Sequence, residues 1–158
     1  MISEGLATRS AGGTPMVSSV SLGDIMEILH ARSLLECEAA KKAAISKASY
    51  EGLLDLRAQI VGFIEGERPD PRTHSKLDRD LHLEIARLAG SNILVELIEG
   101  LKNKTRMFDQ GSIPDRLLPG CHEHLAIIDA ITAQAPDAAS AAMKLHLSNV
   151  RGAIISHI

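Results

Sequence analysis

From Ser21 to the C-terminus, apolar residues recur every three or four positions, which is the spacing of one face of an α-helix. No segment of this region alternates convincingly between apolar and polar residues, as a half-buried strand would. Breaks rich in Gly, Pro and Ser divide it into six helical segments, and the short turns between them favour antiparallel packing. The pattern therefore predicts an all-α fold, an antiparallel bundle of about six helices.

Capping residues and helix breakers give the expected ends of these segments. Ser21 is the expected N-cap of the first helix and Ser49 that of the second, while Thr73 or Ser75 should start the third. Gly90 should stop the third helix. The fifth is expected to hold "HEHLAIIDAITAQ", and the dipeptide "PD" should open the sixth.

Residues 1–20 have a different pattern. The stretch "LATRSAGGTPMVSSV" is short, rich in Gly, Ser and Thr, and contains one Gly-Gly pair, which indicates a small hairpin followed by a linker. The predicted organisation is thus an N-terminal segment, 1–20, and one helical domain, 21–158.

Composition limits the class of protein. Apolar residues make up 45% of the 158 positions and charged residues 23%, as in an ordinary soluble globular domain. A net charge of −3 argues against a surface that coats nucleic acid. Cys37 and Cys121 fall in helical patterns and are expected to be reduced thiols of a cytoplasmic protein. With no signal-peptide pattern and no apolar run of roughly 20 residues, no membrane partner is expected.

Several ionisable residues share helical faces with apolar ones. Asp78 and His82 are four positions apart and lie beside the apolar face of the third helix. His124 is in phase with the isoleucines of the fifth helix, and His146 is in phase with Met143 of the sixth. Four such residues on three predicted helices therefore point inward. We call them the Asp–His cluster: Asp78, His82, His124 and His146. His122 falls on the solvent side.

A single histidine on an apolar face is more often a hydrogen-bonded core residue than a ligand. Three of them with a carboxylate are harder to explain this way, because each buried polar group needs a partner. One divalent metal ion would satisfy all four, with zinc as the first choice and nickel, manganese or iron as alternatives.

The first helix carries an arginine within an apolar stripe. Ile25, Leu29, Arg32, Glu36 and Ala40 follow one another at helical offsets, so the guanidinium must have a partner. Either Arg32 pairs with Glu36 four residues later, or its planar fork binds the carboxylate of a ligand. The spacing favours neither interpretation.

The segments "ARSLLECEAAKKAA", "DRDLHLEIARLAGSN", "HEHLAIIDAI" and "AAMKLHLSNV" resemble, in order and spacing, the effector-binding (FCD) domain of FadR-type GntR transcription regulators. With six helices, the chain looks closest to the VanR-like variant. The resemblance implies that the Asp–His cluster holds one metal at the floor of a cavity in the bundle, and that Arg32 meets a small carboxylate effector. Leu81 stands where the family commonly has phenylalanine, an apolar exchange that leaves the ligands intact.

By the same comparison, "ISEGLATRSAGGTPMV" is similar to the end of the family's winged helix-turn-helix, including its wing hairpin. The helices that would enter a major groove are not in this sequence, so DNA binding is expected only through a winged-helix domain mostly absent from it. The chain could be a fragment, have a wrongly assigned start, or be a headless effector module.

The resemblance favours one function among three. The first is the effector-sensing and dimerising domain of a transcription regulator, which binds a hydroxy acid, citrate or a sugar acid and forms a homodimer. The second is a metal-dependent hydrolase, and the third is a structural bundle stapled by its metal. Beyond the Asp–His cluster, Glu36 is the one candidate acid or base, and Arg32 accounts for it. We therefore expect no enzyme activity.

Overall fold

A computed structural model describes residues 7–9, 15–17, 19–109, 113 and 115–158 of the chain. It contains two short strands followed by six helices: β1 (Ala7–Arg9), β2 (Pro15–Val17), α1 (Leu22–Ala44), α2 (Glu51–Glu65), α3 (Pro71–Leu88), α4 (Asn92–Asp109), α5 (Leu117–Thr132) and α6 (Pro136–Ser156). The all-α prediction of six helices is confirmed.

The two strands pair antiparallel, with Thr8 opposite Met16, which is the arrangement expected of the predicted hairpin. Its connecting residues 10–14 lie outside the described part of the chain. That this segment is the wing of a winged helix stays a prediction.

The N-terminus of α1 is fixed by the predicted cap. The Ser21 hydroxyl accepts a hydrogen bond from the backbone N–H of Asp24, and the Asp24 carboxylate accepts one from the Ser21 N–H. This reciprocal capping box satisfies two backbone donors that would otherwise lack helical partners.

The predicted start of α3 was wrong by one turn. Asp70 is the N-cap and Pro71 is the first helical residue, and the Asp70 side chain accepts hydrogen bonds from both the N–H and the hydroxyl of Thr73. A proline fits this position because the first helical residues have no intrahelical acceptor for their N–H groups. Gly90 follows the helix with φ of +83°, a left-handed conformation that glycine adopts at least cost.

The start of α2 also differs from the prediction. Tyr50, not Ser49, directly precedes α2, and the Ser49 hydroxyl accepts a hydrogen bond from the N–H of Glu51 at 3.2 Å. The fifth helix begins at Leu117 and holds the predicted segment from His122 to Thr132. Helix boundaries depend on a few local contacts, so the pattern placed these helices better than it placed their ends.

The core is aliphatic, and the sequence contains one tyrosine, two phenylalanines and no tryptophan. The largest fully buried apolar side chains among the described residues are Ile25, Leu53, Ile60, Leu81, Ile85, Ile98, Ile127, Ile128, Ile131 and Met143. Helix α1 packs against α3, α4, α5 and α6, and its alanines Ala39, Ala40, Ala43 and Ala44 are buried where those helices approach. The longest helix, α1, therefore lies at the centre of the bundle. Its stripe that contains Arg32 and Glu36 is buried against the other helices.

Both cysteines are free thiols, with Cys121 buried and Cys37 half-buried. Within the described ranges, no helix combines the length and apolar character that a membrane span requires.

Candidate functional site

The bundle brings the four members of the Asp–His cluster together. Each offers one ligand atom, and these atoms all lie within 4.8 Å of one another although they come from α3, α5 and α6. The three imidazoles are buried, whereas the Asp78 side chain keeps 29% of its surface exposed. His124 is buried and His122 is exposed, so the inward phase predicted for the first and the outward phase predicted for the second are confirmed.

Several imidazole nitrogens of the cluster lack hydrogen-bond partners among the described residues. They are Nε2 of His82 and both ring nitrogens of His124. Oδ1 of Asp78 lies 3.2 Å from Nε2 of His124 and 3.6 Å from Nε2 of His82, without the geometry of a hydrogen bond. Buried polar nitrogens without partners are costly, and a divalent cation at the centre of the cluster would coordinate one nitrogen of each ring. The donor set therefore fits a metal ion.

Two of the imidazoles are held from behind by glutamates. Nδ1 of His82 contacts Oε2 of Glu36, and Nδ1 of His146 lies 2.7 Å from Oε2 of Glu123. A carboxylate at Nδ1 keeps the proton there and leaves Nε2 as the free lone pair, which is the usual arrangement behind a metal-bound histidine. Glu36 and Glu123 thus orient the rings toward the centre of the cluster.

Each glutamate has its own arginine. Nε of Arg32 donates to Glu36 at 2.6 Å, and both side chains are almost fully buried. Arg116 donates to both oxygens of Glu123 at 3.0 and 2.6 Å, and Asn149 adds a third hydrogen bond at 2.7 Å. The Arg32–Glu36 pair of the first interpretation is therefore present. Because Glu36 also contacts His82, this pair supports the cluster itself.

Asp78 is oriented by a lysine. Nζ of Lys102, on α4, donates to Oδ2 of Asp78 at 2.6 Å, and Lys102 is only 8% exposed. The two carboxylate oxygens are thereby divided, since Oδ1 faces the imidazoles and Oδ2 faces the ammonium. This geometry favours a carboxylate that binds a cation through Oδ1 alone.

Burial and charge fix the protonation states of these groups. Burial lowers the pKa of His124, and it lowers the pKa of His146 to about 3, so both rings are neutral near pH 7. Burial disfavours ionisation of Asp78, but the Lys102 ammonium and the nearby imidazoles outweigh it and hold the pKa of Asp78 well below its usual range. Neutral imidazoles and an ionised carboxylate are the forms that bind metal.

The Asp–His cluster opens onto a cavity of about 260 Å³. Asp78, His124 and His146 line it, together with five side chains that carry a positive charge: Arg32, Arg79, Lys102, Arg106 and Arg116. Asp115 is the one further acidic residue among the described lining residues, so the wall has a surplus of positive charge although the whole chain has a net charge of −3.

The sequence interpretation missed several residues of this site: Lys102, Thr105, Arg116, Glu123 and Asn149. For Lys102 and Thr105 a signal existed, because they follow the buried Ile98 at offsets of four and seven on α4. Glu123 had no such signal. It is a polar residue between two histidines, and only the packing of α5 against α6 brings it to His146.

The sequence pattern that defines the FCD domain matches residues 27–149, which is most of the chain and includes the whole Asp–His cluster. The chain belongs to the FCD domain family. This domain occurs in GntR-type transcription regulators, as the resemblance implied, and the relatives found are regulators rather than enzymes.

Among characterised relatives, the Uxu operon regulator of Haemophilus influenzae is 31% identical over 134 residues. The match covers 79% of this chain and 49% of that protein, so the chain spans about half the length of the relative.

Solved structures share the fold. The bundle is similar to E. coli McbR/YncC, with a TM-score of 0.79 and 15% identity over 99% of this chain and 80% of that one. A GntR regulator from Rhodococcus sp. RHA1 gives the same TM-score at 20% identity, over 99% of this chain and 76% of that one. The metal-free FCD domain of TM0439 gives 0.73 at 21% identity, over 88% and 96% of the two chains.

The geometry of the Asp–His cluster predicts about one divalent ion per chain in protein purified without chelator. Replacing His124 or His146 with Ala should sharply lower the metal content measured by elemental analysis, because each removes a buried donor atom. His122→Ala is the matched control and should keep the ion, since His122 is exposed on the same helix. Equal loss in the control would contradict the assignment.

The buried imidazoles also predict a pH dependence for the metal-free protein. His146 has a pKa of about 3 in the folded chain against 6.5 for an unperturbed histidine, so the unfolded state binds more protons below pH 6.5. The free energy of unfolding should therefore fall as pH decreases from 6.5 to 5, by up to about 1.4 kcal/mol per pH unit for each such ring.

Urea unfolding in the presence of EDTA at pH 7, 6 and 5 would measure this slope. His146→Gln should reduce it, because glutamine does not titrate. Glu123 has a pKa of about 2 against its usual 4.5, so its contribution to stability is lost only below this window. A stability that stays constant between pH 7 and 5 would contradict the prediction.

Proposed function

We propose that this domain senses a small organic acid, which binds in the cavity beside a divalent metal held by the Asp–His cluster. The main support for the proposal is the position of the Asp–His cluster. It lies in the wall of a cavity whose other charged lining residues are mostly cationic. A cavity of about 260 Å³ next to a converging set of polar groups is typical of a small-molecule site.

The metal and the protein would have separate tasks. When bound, a divalent ion supplies coordination positions that a carboxylate can occupy. The chain itself holds the ligand atoms in place: Glu36 and Glu123 orient His82 and His146, and Lys102 orients Asp78. The ligand could then bind without rearrangement of the cluster. Zinc suits three nitrogens and one oxygen, and nickel, manganese and iron are the alternatives.

The cavity wall favours anions. Lys102 and Arg32 are buried beside the cluster, and Arg79 and Arg106 line the same space. In such a low-dielectric site an ionised acid gains more from cationic partners than it would in water. Citrate, hydroxy acids and sugar acids carry both a chelating carboxylate and further oxygens for these groups.

Arg32 is proposed to contact the effector as well as Glu36. Its Nε is committed to Glu36, while its guanidinium also lines the cavity and places NH1 3.4 Å from the Thr105 hydroxyl, a long hydrogen bond. An arginine can hold one carboxylate through Nε and present its remaining N–H groups to another. The two interpretations of the stripe on α1 are then compatible.

We further propose that the domain forms a homodimer through α1 and α6 and acts on DNA through a winged-helix domain. The two helices run antiparallel, since Lys41 pairs with Asp137 at one end and Ile25 packs with Ile154 at the other. Leu34 and Leu145 lie at the same level between these contacts and are 65% and 60% exposed. Exposed leucines on adjacent helices favour a protein interface.

The effector proposal predicts a thermal shift in the metal-loaded protein on addition of citrate, a hydroxy acid or a sugar acid. At a hundredfold excess over Kd, binding should add about 2.7 kcal/mol to the free energy of unfolding. Arg32→Ala should lose most of the shift in samples whose measured metal content is still about one ion per chain, and protein stripped with EDTA should lose the shift too.

Arg57→Ala is the matched control, because Arg57 is paired with Asp129 on the outside of the bundle. If Arg32→Ala responds fully to the same acids, Arg32 is only the partner of Glu36. If metal-loaded protein responds to none of them, the metal serves only to staple the bundle.

The dimer proposal predicts that sedimentation equilibrium gives a dimer, and that Leu145→Glu shifts it toward monomer because a carboxylate would be buried at the interface. Leu54→Glu on α2 changes an equally apolar residue that is 51% exposed and should have no effect. A monomer at high concentration in the unmodified protein would remove the proposal.

A further inference from the structure

Lys102 is a buried cation in the cavity wall. Its carboxylate partner, Asp78, is a member of the Asp–His cluster. Its Nζ donates to Oδ2 of Asp78, and among the described residues this is its one ion pair. Burial lowers the pKa of Lys102, and the attraction of Asp78 opposes that shift. The ammonium and a bound divalent ion would therefore share a single negative charge.

The other buried cations are compensated differently. Arg32 has Glu36, and Arg116 has Glu123, and these two glutamates contact the outer nitrogens of the histidines. Each arginine with its glutamate is a neutral pair, and an imidazole that coordinates a metal does so in its neutral form. Of the remaining lining cations, Arg79 is paired with Asp80 and Glu99, and Arg106 is exposed to solvent. Among the groups next to the cluster, the surplus of positive charge would lie on the bound metal and on Lys102, on either side of Asp78.

A second unsatisfied group lies on the same wall. His74 lines the cavity one helical turn before Asp78 on α3, and its Nε2 is buried without a hydrogen-bond partner among the described residues. Like Lys102 and Asp78, it contributes to the wall of this cavity. A buried imidazole nitrogen that faces a cavity needs a partner, and a ligand can provide one.

We propose that Lys102 and His74 form a second anchor in the cavity, so that the ligand is a dicarboxylate: one carboxylate reaches the metal and the other binds Lys102 and His74. The inference rests on the proposed function and specifies the ligand class of that site. A monocarboxylate would neutralise only half of the surplus charge and leave Nε2 of His74 without a partner. A dianion satisfies both requirements.

L-malate and L-lactate test this charge requirement directly. Both present the same 2-hydroxycarboxylate group to a metal, and malate carries a second carboxylate where lactate has only a hydrogen on its methyl group. Calorimetric titration of the metal-loaded protein should give a Kd for malate at least about tenfold below that for lactate, as one charge-assisted hydrogen bond would produce. Equal affinity for the two acids would overturn the inference.

Substitutions at Lys102 and His74 test whether these residues cause the preference for malate over lactate. His74→Ala should weaken malate binding by about tenfold while changing the Kd of lactate less than about threefold. Lys102→Met should raise the Kd of malate by a larger factor than the Kd of lactate, and because Lys102 also orients Asp78, the metal content is measured in the same samples. Lys104→Met is the matched control on the same helix, since Lys104 does not line the cavity. His74 is not a member of the Asp–His cluster, so His74→Ala tests the proposal even if Lys102→Met loses metal.

The outcomes separate this inference from the proposed function. If lactate and malate bind equally well, the acid-sensing function stands and the second anchor is wrong. If malate is preferred but neither variant reduces the preference, another cation of the wall selects it and Lys102 and His74 do not. If no acid binds the metal-loaded protein, both proposals fail together.

Discussion

Three imidazoles and a carboxylate meet inside a bundle whose apolar core is mostly Leu, Ile, Met and Ala. Each of these four polar groups needs a partner, and the rest of the site follows from that need. Desolvation keeps the rings of His124 and His146 neutral. Neutral rings still have nitrogens that must donate or accept. The chain satisfies the outer nitrogens of His82 and His146 with glutamates, satisfies Asp78 with Lys102, and leaves inner nitrogens facing one another. The satisfied outer nitrogen and unsatisfied inner nitrogen of His82 fit a cation site.

The same constraint explains why charged residues are buried on α1 and α5. Glu36 can be buried beside His82 because Arg32 compensates its charge, and Glu123 can lie beside His146 because Arg116 and Asn149 hold it. Removing Arg32 would leave the buried charge of Glu36 uncompensated, which costs several kcal/mol. Arg32 and Arg116 thus contribute to the shape of the cluster, and both also line the cavity. A ligand that contacts either arginine would therefore also act on the groups that orient the histidines.

This linkage suggests how binding could be transmitted within a regulator. Helix α1 carries Arg32 and Glu36 toward the cavity, and the exposed Leu34 lies on the same helix. The proposed dimer surface on α1 and α6 is therefore built on helices that also supply groups to the site: Arg32 and Glu36 from α1, His146 and Asn149 from α6. A small displacement of either helix on ligand binding would be felt at both places, because packed helices move as units rather than deforming continuously.

The sequence by itself determined the helical fold, the inward phase of all four cluster residues, the outward phase of His122, and the buried stripe that contains Arg32 and Glu36. Each of these depends on the spacing of residues within one helix, and a helix places residues three or four apart on one face whatever surrounds it. The sequence did less well at helix ends, where Asp70 rather than Thr73 or Ser75 is the N-cap of α3, because competing caps differ by only about 1 kcal/mol.

Only the tertiary structure decided which side chains meet across helices. Lys102 reaches Asp78 from α4, Glu123 reaches His146 across the contact of α5 with α6, and Glu36 reaches His82 from α1. Nothing in the spacing along one helix specifies its rotation and height against another, since those follow from the packing of the whole aliphatic core. The pairing of charges at the site, and with it the kind of ligand the cavity favours, therefore could not be obtained from the pattern alone.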